Sequence, residues 1–358
     1  MKRKVISILC FAVIAASVLS GCGNTDPAAE PVSKTGETLT VFNYSEYFDP
    51  DMLERFTEET GIEVKYEEAV TAEELYTKYK SGGISYDLVC STDYMIERLI
   101  SEGEAAKVDF SSMKNASNID AKYWNMNKAF DPNNEYALPY FYGTIGILYD
   151  TTKVKGPIDS WDVLFNHEYA GEIIMQDSVR DTFMITLKYL GYSLNTTNKA
   201  EIDEAAALLM AQKPDVEAYL VDEARDEVVA GNATMAVVYS GEAFLGNLYN
   251  PNLQYVVPKE GSNLWVDSWI MTKNCKNTEA AQKFLDYMCR DDVAKANFEF
   301  IYYSTPNDAV INDMDEELKN NPAVLPTDDS LANCEVCTQN DADITQYYSD
   351  LWKEIKAQ

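Results

Sequence analysis

Leu39-Thr40-Val41-Phe42-Asn43-Tyr44-Ser45-Glu46-Tyr47 reads as a β-strand that stops abruptly in a polar, aromatic loop. Leu39, Val41 and the residues between them carry strand character. Within the next few positions the loop offers two phenols, a hydroxyl and a carboxylate. Asp49-Pro50 then supplies an N-cap and a first-turn proline for a helix. In an open α/β sheet, ligands bind beyond the carboxyl ends of the strands, so this loop is where a small molecule would be met. On this stretch alone a surface turn with ordinary tyrosines stays an equal reading.

The pattern recurs outward. Helix signals over 51–60 end at Gly61, and Ile62–Tyr66 alternates as a strand. Thr71 and Glu74 form a capping box for a helix to Lys80, and Tyr86–Cys90 is a third strand. This alternation predicts a largely parallel sheet with right-handed crossovers. Two long extended runs, Leu138–Tyr149 and Tyr302–Asn307, read as segments passing from one domain to another. Further strands are expected at 171–175, 234–239, 253–257 and up to Met271. Helices are expected at 201–212, 221–230, 278–289, 291–298 and 345–357.

The chain has 358 residues and a formal net charge of −30, a field that repels nucleic acid and anionic membranes and attracts cations. Lys2, Arg3 and Lys4 precede the apolar stretch Val5–Leu19, which reads as a signal segment over residues 1–21. Leu19-Ser20-Gly21-Cys22 resembles a bacterial lipobox, which makes Cys22 the lipidated first residue of the mature chain. Residues 22–36 then form a flexible tether. The expected address is extracytoplasmic, in the periplasmic space or at the cell surface, with contact to the membrane through the lipid anchor only. Five further cysteines remain: Cys90, a buried thiol at a strand end, and Cys275, Cys289, Cys334 and Cys337, for which local disulfides stay open.

No Walker, dinucleotide or zinc-protease pattern is present. His167, the only histidine, reads as a solvated loop residue. What recurs at strand ends is aromatics together with acids: Tyr44, Glu46 and Tyr47; Asp93 and Tyr94; Asp177 and Asp181; Tyr239; Trp265 and Asp267; Tyr303. Aromatic faces attract cations and cover methylenes, and carboxylates pair with ammonium groups, so together they suit an aliphatic polyamine.

At these residues the chain resembles the spermidine/putrescine-binding subunit of bacterial ABC-type polyamine importers. The similarity runs from about Leu39 to the C-terminal helix. It is carried by Asn43–Tyr47, Glu58–Ile62, Tyr86–Val89 with Ser91-Thr92, Phe130–Asn134, Leu190–Ser193 with Asn195–Thr197, Val257–Gly261, Trp265–Ser268 and Ser304–Asn307. The resemblance implies a two-lobed α/β fold of the type II periplasmic-binding-protein class, with the ligand in the cleft between lobes. It places one lobe at 37–142 plus 267–310 and the other at 143–266 plus 311–358.

It also implies ring-stacking roles for Tyr44, Tyr239 and Trp265, tyrosine contacts from Tyr47 and Tyr303, and ammonium-holding acids at Asp181 and Asp267. Ser45 and Ser91 match hydroxyl or backbone contacts. Gln339 matches a C-terminal glutamine, and Glu46 an acid for a terminal amine. Tyrosine replaces the usual tryptophan at Tyr44 and Tyr239. Ser178 stands where the spermidine binder has an acid, and Asp93 where it has an aromatic ring, so an acid has changed sides of the cleft.

The resulting expectation is a monomeric, non-enzymatic polyamine-binding lipoprotein that docks on a membrane permease, with no cofactor and no metal. The alternatives are a binder of ferric iron or another cation on the same fold, using Tyr302-Tyr303, and a secreted enzyme with Cys90 as nucleophile.

Overall fold

The computed structural model describes residues 35–45 and 47–357. The signal segment, Cys22, most of the tether and Glu46 lie outside the described residues. Thr35, within the stretch expected to be tether, donates from both its N–H and its hydroxyl to the Gly61 carbonyl, each at 3.1 Å.

The elements are β1 (Thr38–Tyr44), α1 (Pro50–Thr60), β2 (Glu63–Ala69), α2 (Ala72–Ser81), β3 (Leu88–Thr92), α3 (Asp93–Ser101), β4 (Ala105–Ala106), α4 (Ala121–Asn127) and β5 (Ala137–Asp150). There follow β6 (Ile173–Gln176), α5 (Val179–Tyr189), α6 (Lys199–Gln212), β7 (Val216–Leu220), α7 (Glu223–Ala230), β8 (Met235–Tyr239), α8 (Ser240–Tyr249), β9 (Leu253–Val256) and β10 (Leu264–Thr272). The chain ends with α9 (Thr278–Met288), α10 (Asp291–Ile301), the short α11 (Asp308–Asp313), α12 (Glu316–Lys319) and α13 (Asp328–Leu331), and α14 (Ala342–Ala357).

Local chemistry explains the first boundaries. Asp49 caps α1 by accepting from the Asp51 N–H at 3.0 Å, Pro50 fills the first turn, and Gly61 ends the helix at φ 73°. Thr71 caps α2 by accepting from the Glu74 N–H at 3.1 Å. The Glu74 carboxylate reaches back to the Val70 N–H at 2.8 Å, one residue beyond the Thr71 N–H that a standard capping box would use. Thr92, the N-cap of α3, makes no side-chain cap bond; the Asp93 carboxylate itself takes the Tyr94 N–H at 2.7 Å.

The strand order is β2-β1-β3-β10-β5-β8-β6-β7, with β4 on β10 and β9 on β5. Strands β1, β2 and β3 are parallel, and so are β6, β7 and β8. The expectation of a largely parallel sheet holds within each trio and fails between them, where β5 and β10 run antiparallel to their neighbours. The 14 residues of β5 are all buried. Ala137–Thr144 pairs with β10, and Ile145–Asp150 pairs with β8 and β9, so one strand serves both sets. The register of β10 against β5 shifts between Asp267 and Ser268. Tyr142 bridges to Ser304 from the second extended run.

Phe42, Phe56, Trp269 and Phe284 are fully enclosed under the first set of strands. The Phe56 and Phe284 rings meet edge to face at 5.2 Å, and Trp269 meets Phe284 at 5.8 Å. Burying each such side chain stabilises the fold by roughly 1.5–3 kcal/mol. A separate apolar cluster under the second set joins Leu148, Val238, Phe244 and Phe298. Among the described residues no helix is long and apolar enough to cross a membrane.

Candidate functional site

The carboxyl ends of β1 and β3 face those of β6 and β8 across β5 and β10, and the strand-end residues meet there. Tyr44 closes β1. Its hydroxyl lies 3.0 Å from Ser91 Oγ and accepts from the Thr92 N–H at 3.3 Å. Buried Asn43 braces the loop, its side-chain oxygen taking the Tyr44 N–H at 2.8 Å. Tyr140 donates its hydroxyl to the Tyr47 carbonyl at 2.9 Å. So held, Tyr47 donates its hydroxyl to Asp267 Oδ2 at 2.6 Å. Asp267 sits at the register shift of β10, a place where sheets re-aim a side chain.

From Tyr47 a wall of rings runs across the site. Tyr47 meets Tyr44 at 5.6 Å and Tyr303 at 5.7 Å; Tyr303 meets Trp265 edge-on at 5.1 Å; Trp265 meets Tyr239 edge-on at 6.3 Å. Tyr239 donates its hydroxyl to Asp181 Oδ2 at 2.7 Å. Asp181 lies in the first turn of α5, whose N-cap is Ser178; the Ser178 hydroxyl accepts the Asp181 N–H at 3.3 Å. The chain Tyr44–Tyr47–Asp267, then Tyr303, Trp265, Tyr239 and Asp181, is therefore continuous. Asp93 joins it through the Val266 N–H, 3.4 Å from Oδ2.

Three carboxyl groups are enclosed here: Asp93 at 0%, Asp267 at 6% and Asp181 at 7% exposure. Burial pushes Asp93 up to about 8, against the pull of the N–H groups of Tyr94 and Val266 and the charge of Arg180. Burial raises Asp267 to about 6, opposed by the hydroxyls of Tyr47 and Thr92. Asp181 is raised by burial too, opposed by Ser178 and Tyr239. Among the described residues none of the three forms an ion pair. A buried carboxylate without a cation is costly, so the site is complementary to positive charge from outside.

The other expected residues lie around this centre. Ser45 is exposed at the rim. The Tyr94 hydroxyl donates to Glu73 at 2.8 Å, and its ring lies 5.5 Å from the Arg180 guanidinium. Gln339 is not brought to the acids: its side-chain oxygen accepts from Ser101 at the far end of α3, and its N–H donates to Glu97 at 2.6 Å.

Two glycines and an arginine escape the sequence reading. A Cβ on Gly143 would lie 2.3 Å from the Trp265 ring, and one on Gly241 would lie 2.2 Å from the Tyr303 ring. These glycines are the seats of the rings. A glycine inside a strand marks such a close approach and is the signal that could have revealed Gly143. Arg180 carries no comparable signal in the sequence.

The two alternative chemistries find no support in the geometry. Cys90 is fully enclosed, and burial raises its thiol well above the ordinary range. His167 is exposed and paired with Asp215, away from every cysteine described above. Tyr302 and Tyr303 diverge: Tyr302 takes a left-handed conformation at φ 65° and packs on Phe244 at 4.9 Å, away from the ring wall. Among the described residues no group of three or more His, Cys, Asp or Glu is placed to hold a metal ion. All five described cysteines are free, so the local disulfides left open by the sequence are not formed. A cavity of about 20 Å³ beside Trp269, Asn297 and Asn307 is lined by none of the acids and is not this site.

A two-lobed α/β fold with an enclosed, acid-and-aromatic cleft defines an extracytoplasmic solute-binding protein. A profile described as bacterial extracellular solute-binding protein matches residues 51–327, and the chain belongs to that family. Relatives of this chain include spermidine/putrescine-binding and putrescine-binding proteins. The spermidine/putrescine-binding periplasmic protein of Escherichia coli (strain K12) is 36% identical over 326 residues, 89% of this chain and 92% of the relative. The crystal structure of the spermidine/putrescine ABC transporter substrate-binding protein PotD from Streptococcus pneumoniae matches with a TM-score of 0.81 at 36% identity, covering 90% of this chain and 99% of that one. A putative spermidine/putrescine ABC transporter protein from Listeria monocytogenes matches with a TM-score of 0.83 at 35% identity, over 90% and 99% of the two chains. Membership of this family makes the chain a binding protein and not an enzyme.

Proposed function

We propose that this protein captures an aliphatic polyamine outside the cytoplasm and delivers it to the membrane permease of an ABC importer. The observation that carries the reading is the set of three enclosed carboxyls, Asp93, Asp181 and Asp267, without ion-pair partners and joined by an aromatic wall. The relatives' names agree with it.

The acids accept ammonium groups while Tyr44, Tyr239, Trp265 and Tyr303 cover the methylenes between them. Each enclosed ammonium–carboxylate bond contributes about 1.5–3 kcal/mol, and each covered methylene about 0.8 kcal/mol before the cost of association. Ser45 serves at the rim, and Glu46 pairs with a terminal amine. Lobes at 37–142 plus 267–310 and at 143–266 plus 311–358 close by a hinge in the crossing segments, β5 among them. The closed form docks on the permease while Cys22, lipidated, keeps the protein at the membrane.

Calorimetric titration of the mature protein with putrescine, spermidine and spermine, with a neutral sugar as control, tests the reading. Saturable one-to-one binding of at least one amine, with a Kd of roughly micromolar or tighter, is expected, and no heat from the sugar. Silence with all three amines contradicts it.

A further inference from the structure

We infer that Glu97 is a positioning residue for the closed form: it latches a strap of the second lobe, residues 334–341, onto α3 of the first lobe; this rests on the two lobes proposed above and not on which ligand lies between them. The strap is fastened along its length to the second lobe. Glu335 accepts the Leu264 N–H and donates its own N–H to Ser262, and its carboxylate pairs with Lys188 at 2.7 Å. Asn195 holds two points at once. Its Nδ2 donates to the Val336 carbonyl and its Oδ1 accepts the Thr338 N–H, both at 2.9 Å. Arg180 donates to the Thr338 carbonyl at 3.0 Å.

The next residue crosses to the first lobe. The Gln339 N–H donates to the Glu97 carboxylate at 2.6 Å, and the Ser101 hydroxyl donates to the Gln339 side-chain oxygen at 3.4 Å. Tyr94, Glu97 and Ser101 follow one another a turn apart, so one stripe of α3 faces the strap. At the start of that stripe the Tyr94 ring packs on Met184, Leu194 and Cys337, a small apolar cluster of the second lobe separate from the two larger cores. A carboxylate on a backbone N–H is a charge-assisted bond, roughly twice as strong as a neutral one. It joins strap to helix and uses no group of the ring wall, so it acts on closure and not on the choice of ligand. When the lobes part, Tyr94 leaves the small cluster, and Cys337, 1% exposed in this structure, loses its cover.

The test compares the mature wild-type protein with Glu97→Ala and Glu97→Gln in two measurements. The first is labelling of the ligand-free proteins with N-ethylmaleimide, located by peptide mass, with Cys275 of the first lobe as internal standard. Cys337 in Glu97→Ala is expected to label roughly threefold faster or more, Cys275 at an unchanged rate, and Glu97→Gln, whose amide oxygen still accepts the N–H, to lie between. A smaller change at Cys337 overturns the inference, and so does an equal acceleration at both thiols, which marks general loosening. The second is stopped-flow release of putrescine and of spermidine. Both are expected to leave Glu97→Ala faster by a similar factor, with association within about twofold of wild type. A change confined to one amine overturns the inference, because it places Glu97 in the ligand site. A wild type that binds no amine overturns the polyamine reading, and the labelling alone then decides the latch.

Discussion

Asp93 is a carboxyl held in a place that suits its charged form poorly until a cation arrives. Its folded-state pKa, about 8, stands above the ordinary carboxyl value of about 4, so the folded protein binds its proton more tightly than the unfolded chain does. Its contribution therefore favours folding at low pH and is lost as pH rises from about 4 to about 8. The substitution Asp93→Asn removes that penalty. Denaturant unfolding of the ligand-free proteins is expected to show the variant gaining stability over wild type progressively between about pH 5 and pH 8. The same variant loses a charged hydrogen bond to ligand, so its amine affinity falls roughly 10- to 100-fold. An alkylammonium with a lysine-like pKa of about 10.4 stays charged throughout this range. Wild-type affinity accordingly rises from about pH 6 to pH 8, as Asp267 and then Asp93 give up protons to ligand binding. A flat pH profile, or a variant no more stable than wild type, contradicts this account of Asp93.

At the scale of elements, the site depends on how closely backbone approaches ring. Gly241 opens the first turn of α8, and the Tyr303 ring lies directly on it, wedged between Trp265 and Tyr47. In Gly241→Ala the new methyl group pushes the ring out of the wall. Overpacking of this kind costs about 1–3 kcal/mol, while alanine returns about 1 kcal/mol of helix propensity. The expected result is a small change in Tm with at least a tenfold loss of amine affinity by calorimetry; unchanged affinity contradicts the seat.

The same elements show what was legible in advance. The turn from β1 into α1 was legible because Asp49, Pro50 and Gly61 each act locally. The ends of β3, β6 and β8 were legible because polar aromatic loops punctuate apolar strands. Strand β7 was not, since Glu217 and Ala218 are weak strand formers and the pairing that holds them comes from β6. Nor was Gly241: its place under Tyr303 depends on which side chain the fold brings across the cleft, and no local pattern encodes that. Gln339, assigned by resemblance alone, lies beside Glu97 and Ser101, one and two turns of α3 beyond Asp93.

For the whole molecule, the central claim is that two sets of strands close on a linear cation. On the proposed reading the lobes part to admit a ligand to carboxyls as enclosed as Asp93 and Asp267, and β5, which pairs with both sets of strands, is the proposed hinge. On that reading the overall charge of −30 supplies the long-range attraction, and the cleft supplies the selection. The most direct test is a crystal structure of the mature protein with putrescine. The account predicts one ammonium nitrogen about 2.7–2.9 Å from Asp267, the other at the same distance from Asp181 or Asp93, and the methylenes between them against Trp265 and Tyr44. Putrescine bound outside the ring wall, with Asp267 and Asp181 keeping only the protein partners they have without ligand, would contradict it.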